Sequence, residues 1–246
     1  MPNFETYRAI GDVAQNPVFF FCDHAVNAVP EGFDALGLNP ALLAGHIAFD
    51  PGAAALSEAL ATKLKARALF CGFSRLLIDP NRGIDRDDLI VATSDTITIP
   101  GNQNLSQSDI EHRLNNYFHP YHQALSDELD ALTVRHKDPF VISIHTFSKT
   151  LRTPHPPRPW EVGLLWSDDQ KSAAIMMQSL SEAGIIVGDN QPYSAKIYNY
   201  SVNRHVGSRG LRHITLEVRQ DLLQSPEAIN KWRDLLFEPL QGLIAK

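Results

Sequence analysis

The sequence predicts a single α/β domain over residues 1–246, in which helices cover both faces of a mixed, largely parallel sheet as an α/β/α three-layer sandwich. Three observations carry this expectation. The short continuous apolar run at 18–22 has the pattern of a strand buried on both faces, and 140–144 and 214–218 are strand-like and largely apolar. Segments with helical periodicity separate such runs. Those at 18–22 and 140–144 give way to Asp23-His24 and to His145, and strand ends are where ligands gather in open α/β sheets.

The elements follow in order. After the strand at 18–22, residues 51–66 read as a crossover helix: Pro51 sits near its first turn, Asp50 could cap it, and Leu56, Leu60 and Leu64 recur at four-residue spacing. Residues 68–73 and 76–78 read as extended. The stretch 83–105 is rich in Gly, Asp, Thr, Ser and Pro without a sustained period, which predicts a long surface excursion of the kind that covers active sites. Residues 106–134 have helical spacing after a Ser106 or Ser108 cap, interrupted at Pro120, and lead into the strand at 140–144. The second half predicts a strand at 162–166, a helix at 171–183, strands at 185–187 and 214–218, and an amphipathic closing helix at about 226–243.

A formal net charge of -6 argues against binding a nucleic-acid backbone, which asks for a basic face. With 20% charged and 43% hydrophobic residues, the composition is that of an ordinary globular chain. Cys22 and Cys71 each end an apolar run, where buried free thiols are expected, and they point to a reducing compartment. No charged leader with an apolar segment opens the sequence, and no apolar stretch approaches the ~18 residues of a membrane span. The expectation is therefore a cytoplasmic protein with neither a membrane nor a nucleic-acid partner. Nothing in the sequence sets an oligomeric state.

The most informative stretch is SRLLIDPNRG at 74–83, which brings Arg75 and Arg82 to one place. Guanidinium groups bind carboxylates through paired, charge-assisted hydrogen bonds, so the two suit a small acidic ligand; ordinary surface ion pairs are the plainer reading. Two imidazoles and one carboxylate form a common ligand set for catalytic zinc with a fourth position left open, and His24, His145 and Asp50 are candidates for it. Asp50 competes with its own reading as a helix cap, and Asp23 is a second candidate ligand. Glu217, between Leu216 and Val218, is costly to ionise unless a cation lies near; it reads either as a general base and acid or as a buried partner of Arg219 or another arginine. His46 and His136 read as surface or structural. His119 and His122 are discounted as a metal pair because Pro120 breaks the helical pattern between them.

Seven segments in order complete the picture: CDHAVNAVP at 22–30, FDPGAAALSEALA at 49–61, SRLLIDPNRG at 74–83, ISIHTFSK at 142–149, RPWEVGLLW at 158–166, GDNQPYS at 188–194 and LEVRQDLL at 216–223. Together they resemble the N-formylglutamate amidohydrolase family, whose phosphorylase/hydrolase-like fold is related to the zinc carboxypeptidases and aspartoacylases. The resemblance implies a Zn2+-dependent hydrolase that converts N-formyl-L-glutamate to formate and L-glutamate in histidine breakdown. It implies that His24 and His145 bind the metal, that Glu217 is catalytic, that Asn81 and Arg82 hold the substrate carboxylate, and that Arg75 polarises the scissile carbonyl. The carboxypeptidase pattern has Glu three residues after its first His, where this chain has Asn27, so the carboxylate ligand is sought at Asp50. Asn190, Tyr193 and Arg219 are further substrate-side candidates, with a turn, ordinary packing and an ion pair as their plainer roles. Lys149, Arg152 and Arg158 in the proline-rich loop could steer acidic ligands. Competing readings are hydrolysis of another N-acyl amino acid or small peptide, and a non-catalytic protein that binds acidic metabolites.

Overall fold

The run VFFFC has no polar face to offer water, and in the computed structural model, which describes residues 4–244, it lies at the heart of a seven-stranded sheet. The first half of the chain contributes β1 (Tyr7–Ile10), β2 (Val18–Cys22), a short α1 (Pro40–Leu43), the crossover helix α2 (Ala53–Leu64) and β3 (Arg67–Cys71). A two-stranded ribbon follows, β4 (Thr93–Ser94) and β5 (Ile97–Thr98), then α3 (Gln107–Arg113), α4 (His119–Arg135) and the long strand β6 (Phe140–Phe147). The remainder supplies β7 (Val162–Leu165), α5 (Gln170–Glu182), β8 (Val187–Asp189), α6 (Ala195–Tyr198), α7 (Tyr200–His205), β9 (Arg212–Arg219) and α8 (Pro226–Ile244).

The strand order is β1-β3-β2-β6-β9-β7-β8. The central four, β3, β2, β6 and β9, run parallel, β1 and β7 join them antiparallel, and β8 pairs parallel with β7. The expected mixed, largely parallel α/β sheet is therefore present. Alternation along the strands sends Phe20, Ile142 and Leu216 to one face, where Leu56 and Leu60 of α2, Met176 of α5 and Trp232 and Leu236 of α8 pack on them. Phe19, Phe21 and Val141 go to the other, against Phe118, Tyr121, Leu125 and Leu129. Fully burying each such side chain contributes about 1.5–3 kcal/mol, so both helical layers are held by the same sheet.

Three local expectations are corrected. Residues 76–78 are not extended: Leu77 N–H donates to Ser74 O at 2.9 Å, and Leu76, Leu77 and Ile78 are apolar because the turn itself is buried. Pro120 does not break the helix at 106–134. It sits in the first turn of α4, where its missing N–H costs least, and a π turn over Leu114–Phe118 joins α3 to α4. The strand expected at 185–187 starts two residues later, because Ile185 N–H is taken by Leu180 O. The edge strand β1, half-exposed and short, had no sequence signal. Cys22 and Cys71 are buried and free. Among the described residues no helix is long and apolar enough to cross a membrane.

Candidate active site

Because β2 and β6 are parallel neighbours, their C-terminal ends lie side by side, and this brings His24 and His145 together. Their ring centroids are 4.9 Å apart. Both turn the same nitrogen to one oxygen: Asp50 Oδ2 lies 3.2 Å from His24 Nδ1 and 2.9 Å from His145 Nδ1. Asp50 is not a helix cap; Gly52 occupies that position with φ of 86°, and no side chain caps α2. Instead Asp50 N–H donates to His24 O at 3.0 Å, and Thr146 N–H reaches Asp50 Oδ2 at 3.3 Å, which pins the carboxylate between the two strand ends.

The opposite edge of each imidazole meets a second carboxylate. His24 Nε2 is 2.7 Å from Asp79 Oδ1, and His145 Nε2 is 3.5 Å from Asp23 Oδ2. Asp79 also takes Arg75 Nη2–H at 2.7 Å and Asn81 N–H at 2.8 Å, while Asp23 Oδ1 takes the hydroxyls of Tyr121 at 2.8 Å and Ser201 at 2.9 Å. Asp23 thus stands behind a ring rather than beside the Nδ1 atoms. One atom each from His24, Asp50 and His145 lies within 4.8 Å of the others, a spacing that could hold a metal ion.

These contacts set the charges. Burial opposes ionisation of Asp50, yet the two imidazoles hold its carboxyl below the usual range; burial likewise opposes charge on His145, but Asp23 and Asp50 push it up to about 10. Glu217 lies directly across from His145 in the β6–β9 register, only 7% exposed. Burial pushes its carboxyl up to about 7, and Oε2 has no hydrogen-bond partner. On its other side β7 offers Gly163, where any Cβ would stand 1.9 Å from Gln191 O, so only glycine lets the 188–193 segment close over the strand.

A cleft of about 470 Å³ opens at these strand ends. Arg75, Asn81, Arg82, Tyr193 and Glu217 line it together with His24, Asp50 and His145. Arg75 Nη1 lies 3.5 Å from Asp50 Oδ1; Arg82 donates through Nε to Asp88 at 2.8 Å and stacks 5.1 Å from the Tyr198 ring centre. The Asn81 amide is occupied by Ser201 N–H at 3.1 Å and Tyr198 O at 3.3 Å. The Tyr193 hydroxyl accepts from Arg158 at 3.3 Å. Arg219 is not among the lining residues: its guanidinium is held by Asp221 at 2.7 Å and Trp160 O at 3.3 Å, and so it is not the partner of Glu217 either. Asn190 caps a turn, accepting from Trp166 N–H and Ala195 N–H, with φ of 47°. Lys149 and Arg152 are exposed.

Two acids had no place in the expected site, and His46, expected to be surface or structural, lines the cleft. Asp79 sits inside SRLLIDPNRG, and its signal was an acid placed straight after a buried apolar turn. Asp95, at the tip of the β4–β5 ribbon, and His46 both line the cleft; the folding of the 83–105 excursion carries Asp95 there, to meet His46 from the segment before Asp50. His122 is no ligand: Nε2–H donates to Pro80 O at 3.0 Å and Nδ1 faces His205 Nε2 at 2.9 Å, while His119 is exposed.

The N-formylglutamate amidohydrolase family model matches residues 16–224. Among solved structures, the chain is similar to the gene product Atu2144 from Agrobacterium tumefaciens, with 25% identity and a TM-score of 0.90 over 97% of this chain and 96% of that one. It shares the fold of the N-formylglutamate amidohydrolase from Ralstonia eutropha JMP134, at 19% identity and a TM-score of 0.78 over 97% of both chains. No curated protein matches it.

Proposed function

The chain belongs to the N-formylglutamate amidohydrolase family, hydrolases acting on amides, and from that premise we propose that it uses one zinc ion to hydrolyse small N-acylated acidic amino acids, foremost N-formyl-L-glutamate to formate and L-glutamate. The observation that carries the reading is the convergence of His24 Nδ1 and His145 Nδ1 on Asp50 Oδ2. The donors fit the ion: two imidazoles and a carboxylate make a three-residue set that leaves a position open, and each ring faces a carboxylate at its far nitrogen, hydrogen-bonded for His24 and 3.5 Å away for His145. When bound, the ion would supply Lewis acidity, acidifying water and drawing charge from the scissile carbonyl.

The chain's own residues do the rest. Glu217, with a carboxyl near neutrality and a bare buried oxygen, takes the proton of the attacking water and returns it to the leaving amine nitrogen. Arg75, kept charged by Asp79 and Asp50 against the cost of burial, places a fixed cation where the oxyanion develops. Arg82, braced by Asp88 with Asn81 behind it, binds a substrate carboxylate and so aligns the amide. Tyr193 closes the cleft beside Glu217. Arg219 braces the end of β9.

The test is metal content with a substrate panel. The expected result is about one zinc per chain and formate release from N-formyl-L-glutamate, abolished by a chelator and restored by zinc. Protein that carries no zinc and gains no activity with zinc would overturn the metal assignment. Faster turnover of N-acetyl amino acids or dipeptides would move the substrate elsewhere.

A further inference from the structure

A dicarboxylate such as formylglutamate presents two anionic groups, and the inference drawn from them rests on that reading of the substrate. Among the side chains that line the cleft, only Arg75, Arg82, His24, His145 and His46 can carry positive charge. Asp50 occupies the two histidines of the cluster, Arg75 is held on Asp79 and Asp50, and Arg82 has one carboxylate to bind. We propose that His46, oriented by Asp95, is the specificity residue that binds the second, side-chain carboxylate of the substrate.

The geometry supports a built site rather than a chance surface histidine. His46 Nε2 lies 3.2 Å from Asp95 Oδ2 as an ion-pair contact, and neither atom makes a hydrogen bond among the described residues. The Asp95 side chain is 6% exposed, whereas that of His46 is 31% exposed and lines the cleft. Asp95 is itself immobilised: Oδ1 accepts from Arg152 N–H at 2.8 Å, Thr153 N–H at 3.1 Å and the Thr153 hydroxyl at 3.4 Å. It occupies the two-residue tip of the β4–β5 ribbon, where Asp95 and Thr96 have φ of 44° and 69°. A threonine in that region costs on the order of 1–3 kcal/mol, which the ribbon's anchorage to the 148–158 loop offsets.

With Nε2 turned to Asp95 Oδ2, Nδ1 is the other ring nitrogen, left for a ligand. A carboxylate that binds Nδ1 would leave the imidazole between two carboxylates, an arrangement in which the ring can give each of them a charge-assisted hydrogen bond. The three donors on Asp95 Oδ1 disperse the charge of that carboxylate, which lessens its repulsion of the substrate.

The experiment compares kcat/KM for N-formyl-L-glutamate and N-formyl-L-glutamine, which differ only by a neutral amide in place of the carboxylate, using zinc-replete wild type, His46→Ala, His46→Gln and Asp95→Asn. Wild type should prefer formylglutamate. His46→Ala should lower its kcat/KM by about 10- to 100-fold, mainly through KM, while formylglutamine changes little; His46→Gln should behave alike, and Asp95→Asn should shift selectivity in the same direction. Equal losses on both substrates in folded His46→Gln, or retained selectivity, would overturn the assignment. Wild type inert towards both substrates would overturn the proposed function instead, and that result appears before any variant is made.

Discussion

At the scale of single residues, Glu217 carries the sharpest consequences. Its carboxyl is held near 7 by burial against an ordinary value of 4.5, so its folded form binds a proton more tightly than its unfolded form. The stability this confers is complete below the unfolded value and is lost as pH rises through about 7. In metal-depleted protein at pH 8, Glu217→Gln should therefore raise stability, by on the order of 2–3 kcal/mol, as read by urea unfolding. The same variant should retain bound zinc and lose turnover by about 10²- to 10⁴-fold. Loss of the metal instead would make Glu217 a ligand.

At the scale of elements, the site is braced from behind by α4 and α7. Ser201 has one hydroxyl proton, and the Asp23 carboxylate at 2.9 Å is a stronger acceptor than Pro80 O at 3.2 Å. Pro80 O is instead served by His122, whose Nδ1 then accepts from His205 Nε2–H. Burial keeps both rings neutral, with their values pushed down to about 3 and about 4. Ser201 also sends its N–H to Asn81 Oδ1, so one residue of α7 links the carboxylate behind His145 to the loop that carries Arg82. Ser201→Ala should weaken zinc binding about 10- to 100-fold in chelator competition, whereas a wild-type affinity would show that the Tyr121 hydroxyl suffices for Asp23.

At the scale of the whole molecule, metal, protons and folding are one linked equilibrium. A cation at Nδ1 of His145 would compete with the proton that the ring, flanked by Asp50 and Asp23, keeps up to about 10. Ionised Glu217 adds negative charge above about 7. Both effects have the same sign: the drop in melting temperature caused by a chelator should widen from pH 6 to pH 9, and zinc addition at pH 8 should release protons into weakly buffered solution. A chelator effect that is flat across this range would contradict the His24-Asp50-His145 set.

By itself the sequence determined the layered sheet, the strands that lead to His24 and His145, the crossover helix and the presence of Arg75, Arg82 and Glu217. Those features are written locally, because strands buried on both faces are rich in apolar residues, although β6 runs past His145 to Phe147 and β9 carries Glu217 within it. Only the tertiary structure decided that β2 and β6 are neighbours, that Asp50 turns to the imidazoles instead of capping α2, that Asp79 and Asp23 stand behind them, and that Arg219 lies outside the cleft. His46 and Asp95 were beyond reach for the same reason. They lie 49 residues apart in the chain, on segments without period, and what joins them is loop closure over a packed core, which leaves no local pattern.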